Sequence, residues 1–195
     1  DLLNLNDDLN VLLITKESVD KCNTSLAQGG IAVAKDEKDF DLFVQDTLKA
    51  GKYKNSMEAV KTLVYESIDN INEVVDFGAH FDKVNENFKY TKEGAHSTSR
   101  IVHTKDETGK ELFLSLLAAL KNKKNVKIFE NTTLLDLITK DNICFGGTAI
   151  RGKERINIYS RETILATGGI GGLFKNSTSR RRLKIGRASC RERVS

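Results

Sequence analysis

Apolar and polar positions recur with two different periods along this chain, and each change of period marks an element. Residues 10–16 (NVLLITK) form a short continuous apolar run, the pattern of a strand buried in a parallel sheet. Residues 22–34 (CNTSLAQGGIAVA) are small and polar with paired glycines, which suits a loop whose backbone comes close to another group. From 39 to 51 the pattern turns helical, with Phe40, Phe43, Val44, Thr47 and Leu48 on one face and Gly51 closing it. A longer helical stripe follows, with Val60, Leu63, Val64, Ser67, Ile68, Ile71, Val74 and Val75 running as far as Gly78. Asn55 is its expected N-cap, with Glu58 three residues on. Residues 79–106 show little period and read as loop. Thr108 and Glu111 resemble a capping box ahead of a third helix whose apolar face is Phe113, Leu116, Leu117 and Leu120. Strands are predicted at 125–130, 134–139, 143–151 and 155–160, the last two joined by a short basic turn. A buried strand is predicted at 162–167 (ETILAT), running into GGIGG. One strand, three helices and then five strands make a mixed α/β chain. The chain shows no repeat and no interdomain linker.

Composition narrows the function classes. The 195 residues are 39% hydrophobic and 30% charged, a globular balance, and no apolar run approaches the ~18 residues that span a bilayer. The acidic start DLLNLNDDLN lacks the basic and apolar regions of a secretory signal, and three widely spaced cysteines (Cys22, Cys144, Cys190) do not make a disulfide framework. A cytoplasmic setting is expected. The net charge of +4 comes from the end of the chain: residues 180–195 hold six of the ten arginines, and without them 24 basic residues face 26 acidic ones. Proline is absent throughout, for which the sequence offers no physical account.

Two segments carry candidate chemistry. ETILAT leads straight into Gly168, Gly169, Gly171 and Gly172, a glycine cluster at the carboxyl end of a predicted strand, where open α/β sheets bind ligands. Residues 23–30 (NTSLAQGG) follow the first predicted strand and offer hydroxyls, an amide and unhindered backbone N–H groups, a set able to hold phosphate or a polar ring edge. Either could also be a plain turn. Glu93, next to Lys92, could be an ordinary solvated carboxylate. No cluster with metal-ligand spacing accompanies His96 or His103, so hydrogen bonding within their loop is the expected role and no metal is expected.

Taken together and in order, T-x-x-A-Q-G-G-I at 24–31, E-G-x-H-S at 93–97, R-I-x-H-x-x-D-x-T-G at 100–109 and A-T-G-G at 166–169 resemble one family. It is the family of FAD-dependent flavoproteins that holds the L-aspartate oxidases and the flavoprotein subunits of succinate dehydrogenase and fumarate reductase. The resemblance spans residues 10 to about 179. It implies a Rossmann-like FAD-binding domain, partial because the family's first βα unit with G-x-G-x-x-G is missing, with the start of an inserted capping domain.

The resemblance also assigns residues. Lys16, Asn23, Thr24, Ser25, Leu26, Ala27, Gln28, Gly29, Gly30, Thr133, Leu134, Ala166, Thr167, Gly168 and Gly169 are expected to line FAD. Thr15 stands before Lys16 where many dinucleotide folds carry an acidic residue for the ribose. In the membrane-bound dehydrogenases a histidine at the position of Asn23 tethers FAD; asparagine cannot, so non-covalent FAD is implied. Glu93 matches the glutamate that orients the substrate amino group in the oxidases, a group that fumarate and succinate lack. The implied activity is oxidation of L-aspartate to iminoaspartate, with oxygen or fumarate as acceptor, in NAD synthesis ahead of quinolinate synthase. The closest alternative is a soluble fumarate reductase.

Residues expected downstream in the family, the arginine and histidines that bind dicarboxylate, are not in these 195, so the chain itself is expected to be an inactive internal fragment. Residues 180–195 resemble a translated sequencing-library adapter and are expected to carry no function. The competing possibility, a basic-tailed nucleic-acid-binding module, rests on those cations alone.

Overall fold

A four-residue apolar strand needs a neighbour to satisfy its backbone, and β1 (Val11–Ile14) finds it far along the chain in β6 (Val126–Phe129). The two run parallel with Val11 opposite Val126 and Ile14 opposite Phe129, and hydrogen bonds Val11 N to Asn125 O and Thr15 N to Phe129 O, both 2.9 Å, close the ladder. The computed structural model describes residues 9–169. They form two compact units, one of Thr24–Lys124 and the other of residues 9–23 with 125–169.

In the first unit, β2 (Ile31–Ala32) pairs antiparallel with β5 (Ile101–Val102). Extended residues alternate their sides, so Ala32 and Ala34 join one apolar cluster while Ile31 and Val33 join another. Helix α1 (Phe40–Ala50) brings Phe43, Val44 and Leu48 to the first cluster, and α2 (Met57–Tyr65) adds Val60 and Val64. Helix α3 (Ser67–Asp76) brings Ile71 to the second cluster, beside Ala79, Phe81 and Val102. Partly buried Ile68 packs on both clusters.

The continuous stripe from Val60 to Val75 therefore belongs to two helices. The break falls at Glu66, and the next residue explains it. Buried Ser67 donates its hydroxyl to the Val64 carbonyl at 2.7 Å and accepts the Ala34 amide at 3.1 Å. Bonding back to the preceding turn diverts the hydroxyl from a straight helix and ties the junction to the strand. Leu63, expected in the stripe's core, is 56% exposed. The N-cap of α2 is Ser56, whose hydroxyl accepts from Ala59 N at 3.4 Å; Asn55 instead donates to the Thr47 carbonyl.

Residues 79–106 are not all loop. A hairpin of β3 (Lys83–Val84) and β4 (Asn87–Phe88) turns through Asn85 and Glu86, both with positive φ, before the chain enters β5. Helix α4 (Thr108–Lys121) closes the unit without the expected capping box. Thr108 accepts from Thr104 N at 3.1 Å, and the Glu111 carboxylate accepts from His80 N at 3.0 Å.

In the second unit, β7 (Thr132–Lys140), β8 (Ile143–Arg151) and β9 (Glu154–Tyr159) make an antiparallel meander. Asp141 and Asn142, both at positive φ, turn β7 into β8; Gly152, at φ 63°, and Lys153 make the basic turn that follows. Residues 162–167, predicted as a buried strand, form none, and Ile164 is 78% exposed. An apolar run becomes a strand only where its backbone joins a ladder, and 162–167 belongs to none of the sheets among the described residues. Strand β1 is likewise half-buried rather than covered on both faces, with Leu12 36% exposed.

Candidate functional site

The segment Thr24–Leu26 makes one 3-10 turn, with Ala27 N bonded to Thr24 O at 3.0 Å. Two glycines fasten its surroundings. Gly109, in the first turn of α4, donates to the Ala27 carbonyl at 3.0 Å, and a Cβ there would overlap the Thr24 carbonyl. Gly30 lies so close to β5 that a Cβ would overlap the Val102 carbonyl and the Ile101 side chain. Both glycines are needed for packing. With both ends pinned, Ala27, Gln28 and Gly29 stand exposed between them; the N–H and carbonyl of Ala27 are taken by Thr24 and Gly109, which leaves Gln28 and Gly29 as the backbone a ligand could approach.

Glu93 lies beside that loop. A Cβ at Gly29 would sit 3.8 Å from Glu93 Oε1, so the expected substrate carboxylate and the expected cofactor loop are neighbours. Glu93 is exposed, and its carboxylate enters no hydrogen bond or ion pair with another described residue, Lys92 included. A carboxylate so placed is available to a cation.

The support beneath Glu93 was not legible from the motifs. Arg100 is fully buried and forked between Asp39, the residue before α1, and Asp46 on α1. It donates from Nε to Asp39 Oδ2 at 3.1 Å and from Nη2 to Asp39 Oδ1 at 2.7 Å, and from Nη1 to Asp46 Oδ2 at 2.5 Å. The guanidinium lies 4.6 Å from the Phe43 ring centroid. Asp46 accepts two more hydrogen bonds, from Ser97 N at 2.7 Å and from Ser97 Oγ at 2.5 Å. Nη1 of Arg100 also donates to His96 Nδ1 at 3.2 Å, and His96 N donates to the Glu93 carbonyl at 3.0 Å.

Burial pushes the Asp46 carboxyl up, but Ser97 and the Arg100 guanidinium outweigh it and hold it down at about 2. Burial likewise works against the Arg100 charge, and Asp39 and Asp46 overcome it, raising its pKa. A signal for this cluster did exist in the sequence. Asp39 and Asp46 flank Phe43 at helical spacing, acidic positions inside an apolar face, and Arg100 is one of only four arginines before residue 180.

His103, expected to hydrogen-bond within its loop, lies with Nδ1 3.4 Å from Asp82 Oδ2, within ion-pair distance when the ring is protonated. Its Nε2 is buried with no partner among the described residues. Among the described residues no group of three or more His, Cys, Asp or Glu is placed to hold a metal ion.

In the second unit, Lys16 and Thr133–Leu134 adjoin residues that the backbone pairs. Thr132 N donates to Thr15 O at 2.9 Å, so the start of β7 lies against the end of β1, just beyond the carboxyl ends of the parallel pair. The Glu130 carboxylate accepts from Val19 N at 2.8 Å and holds the loop that leads to exposed Asn23. Ala166–Gly169 is irregular. Gly168 takes φ 74°, a left-handed conformation suited to glycine, and a Cβ at Gly168 or Gly169 would meet nothing within 4 Å. Gly171, Gly172 and residues 180–195 lie outside the described residues.

In the first unit the exposed backbone at 28–29 beside a carboxylate with no partner among the described residues, and in the second the open glycine backbone at 168–169 and the end of a parallel strand pair, each suit a polar organic ligand better than a metal. The family model described as "FAD binding domain" matches residues 5–189, reaching into the basic stretch that begins at Arg180. The chain belongs to this FAD-binding family, an α/β flavoprotein class with FAD as its cofactor.

Among curated relatives, L-aspartate oxidase of Clostridium perfringens is 50% identical over 179 residues, 92% of this chain and 41% of its own length. L-aspartate oxidase of Clostridium acetobutylicum is 50% identical over 182 residues, 93% of this chain and 42% of its own. The chain thus spans about two fifths of the length of these relatives. Among solved structures, Sdh1 of Mycobacterium smegmatis superposes with a TM-score of 0.79 at 25% identity, covering 89% of this chain and 32% of that one. The quinol fumarate reductase subunit FrdA of E. coli gives 0.82 at 21% identity, over 87% and 30%, a likeness of fold.

Proposed function

We propose that this chain supplies part of the cofactor and substrate machinery of an FAD-dependent L-aspartate oxidase. The oxidase converts L-aspartate to iminoaspartate with oxygen or fumarate as electron acceptor. The observation that carries this is Glu93: an exposed carboxylate without a partner among the described residues, set against Gly29 of the cofactor loop. Fumarate and succinate have no amine to be held there, whereas the ammonium of an amino acid would be held by a charge-assisted hydrogen bond. The 50% identity to two L-aspartate oxidases supports the same assignment.

FAD, when bound, supplies a two-electron acceptor for the hydride that leaves the substrate Cα. The chain's own residues bind and orient. In the first unit Thr24, Ser25, Leu26, Ala27, Gln28, Gly29 and Gly30 are assigned to FAD, with backbone N–H groups doing most of the holding. In the second unit Lys16, Asn23, Thr133, Leu134, Ala166, Thr167, Gly168 and Gly169 are assigned to it. Asn23 has no nucleophilic ring nitrogen, so the cofactor is held non-covalently. Glu93 orients the amino group. We place the enzyme in the cytoplasm, in NAD biosynthesis, with quinolinate synthase consuming its product; no described helix is long and apolar enough to cross a membrane.

Replacing Glu93 by Gln in the full-length protein should lower kcat/KM for aspartate about 10- to 100-fold, the worth of one hydrogen bond to a charged group. Reduction of fumarate should change far less. Equal loss of both activities would remove the assigned role, and a protein that reduces fumarate without oxidising aspartate would be a soluble fumarate reductase.

A further inference from the structure

The Glu93–Ser97 loop is exposed at its tip, yet it is anchored from beneath by α1. Asp46 takes both polar hydrogens of Ser97, and its other strong partner is Arg100, fixed in turn by Asp39. The same Arg100 nitrogen reaches His96, whose amide holds the Glu93 carbonyl. Every link from α1 to the Glu93 backbone is thus a hydrogen bond of 3.2 Å or less. We propose that Asp46 is a positioning residue for the substrate carboxylate: through Ser97 and Arg100 it sets where Glu93 stands beside Gly29, and thereby the preference for an amino acid over a plain dicarboxylate.

The chemistry of the clamp supports a task beyond stability. One carboxylate accepting from the amide and hydroxyl of a single serine fixes both that residue's backbone and its rotamer. A guanidinium forked to Asp39 cannot swing away. If only the burial of Arg100 had to be satisfied, Asp39 with its two bonds would supply most of it. The second carboxylate spends two of its three hydrogen bonds on the loop instead. Positioning within about half an ångström is what oriented substrate binding demands, and it requires supporting groups locked in this way.

The inference rests on the role proposed for Glu93, so its test separates the two. In the full-length protein, Ser97→Ala removes one arm and leaves the buried Asp39–Arg100–Asp46 bracket whole, while Asp46→Asn weakens all arms. Three quantities are read: amide hydrogen exchange over residues 93–97 with and without FAD, KM and kcat for aspartate and for fumarate, and the double substitution with Glu93→Gln. We expect exchange at 93–97 to quicken about tenfold in both variants and KM for aspartate to rise about tenfold, with kcat/KM for fumarate kept within about twofold. Adding Glu93→Gln should then cost little more, because both changes remove one interaction. Equal losses for aspartate and fumarate, or full additivity with Glu93→Gln, would show that Asp46 serves stability alone. If Glu93→Gln by itself leaves aspartate oxidation intact, the role assigned to Glu93 fails, and the clamp is then judged by exchange: unchanged rates at 93–97 in Asp46→Asn overturn it.

Discussion

Single residues in this chain act through what they leave open as much as through what they touch. The ammonium-binding role proposed for Glu93 requires a free carboxylate, and among the described residues no cation pairs with it, although Lys92 precedes it in sequence. Gly109 shows the opposite case. Its missing Cβ is where the Thr24 carbonyl lies, so Gly109→Ala should destabilise the full-length protein by about 1–3 kcal/mol, readable as a lowered urea midpoint. Asp46 makes a pH prediction. Its folded pKa, about 2, lies below the usual 3.8, so its contribution is fully present above pH 4 and is lost as pH falls through about 2. That contribution is about 2 kcal/mol at neutral pH. Unfolding measured between pH 5 and 2 should show an acid-dependent loss of that size, flattened in Asp46→Asn; parallel curves for the two proteins would contradict it. At this scale the sequence words around Gln28, Glu93 and Arg100 were readable, but the partners of Arg100 were not, since Asp39 and Asp46 lie 61 and 54 residues away.

At the scale of elements, periodicity located α1 and the strands of the meander well, because each depends on a local alternation of apolar positions. It failed at junctions. The stripe of α2 and α3 reads as one helix, since a helical face continues smoothly across a break that depends on one serine hydroxyl and the amide of Ala34, 33 residues away. Ser67→Ala leaves that amide without its acceptor and should cost about 1–3 kcal/mol, with faster exchange at Ala34 as the local signature. A Ser67→Ala protein with unchanged midpoint and unchanged Ala34 exchange would mean that the junction is held by packing alone. The predicted strand at 162–167 failed for a related reason: propensity is local, but a ladder partner is not.

For the molecule as a whole, the chain matches its FAD-binding family over nearly its full length while spanning about two fifths of its curated relatives. We expect the isolated 195-residue chain to hold FAD weakly and to oxidise no aspartate. Stoichiometric flavin absorbance that survives purification, or turnover with aspartate, would refute this. The sequence by itself determined most of the helices and the strands of the meander, the glycine-rich words, the excess of cations after residue 179, and the family and cofactor. All are properties of residues adjacent in the chain or of motifs in a fixed order. Only the tertiary structure decided that Glu93 meets Gly29, 64 positions before it, and that α1 reaches through Asp46 and Arg100 to steady the loop bearing that carboxylate. Such contacts depend on the path of the chain between distant segments. A buried charge records its need for a partner in the sequence, but not which partner the fold will bring to it.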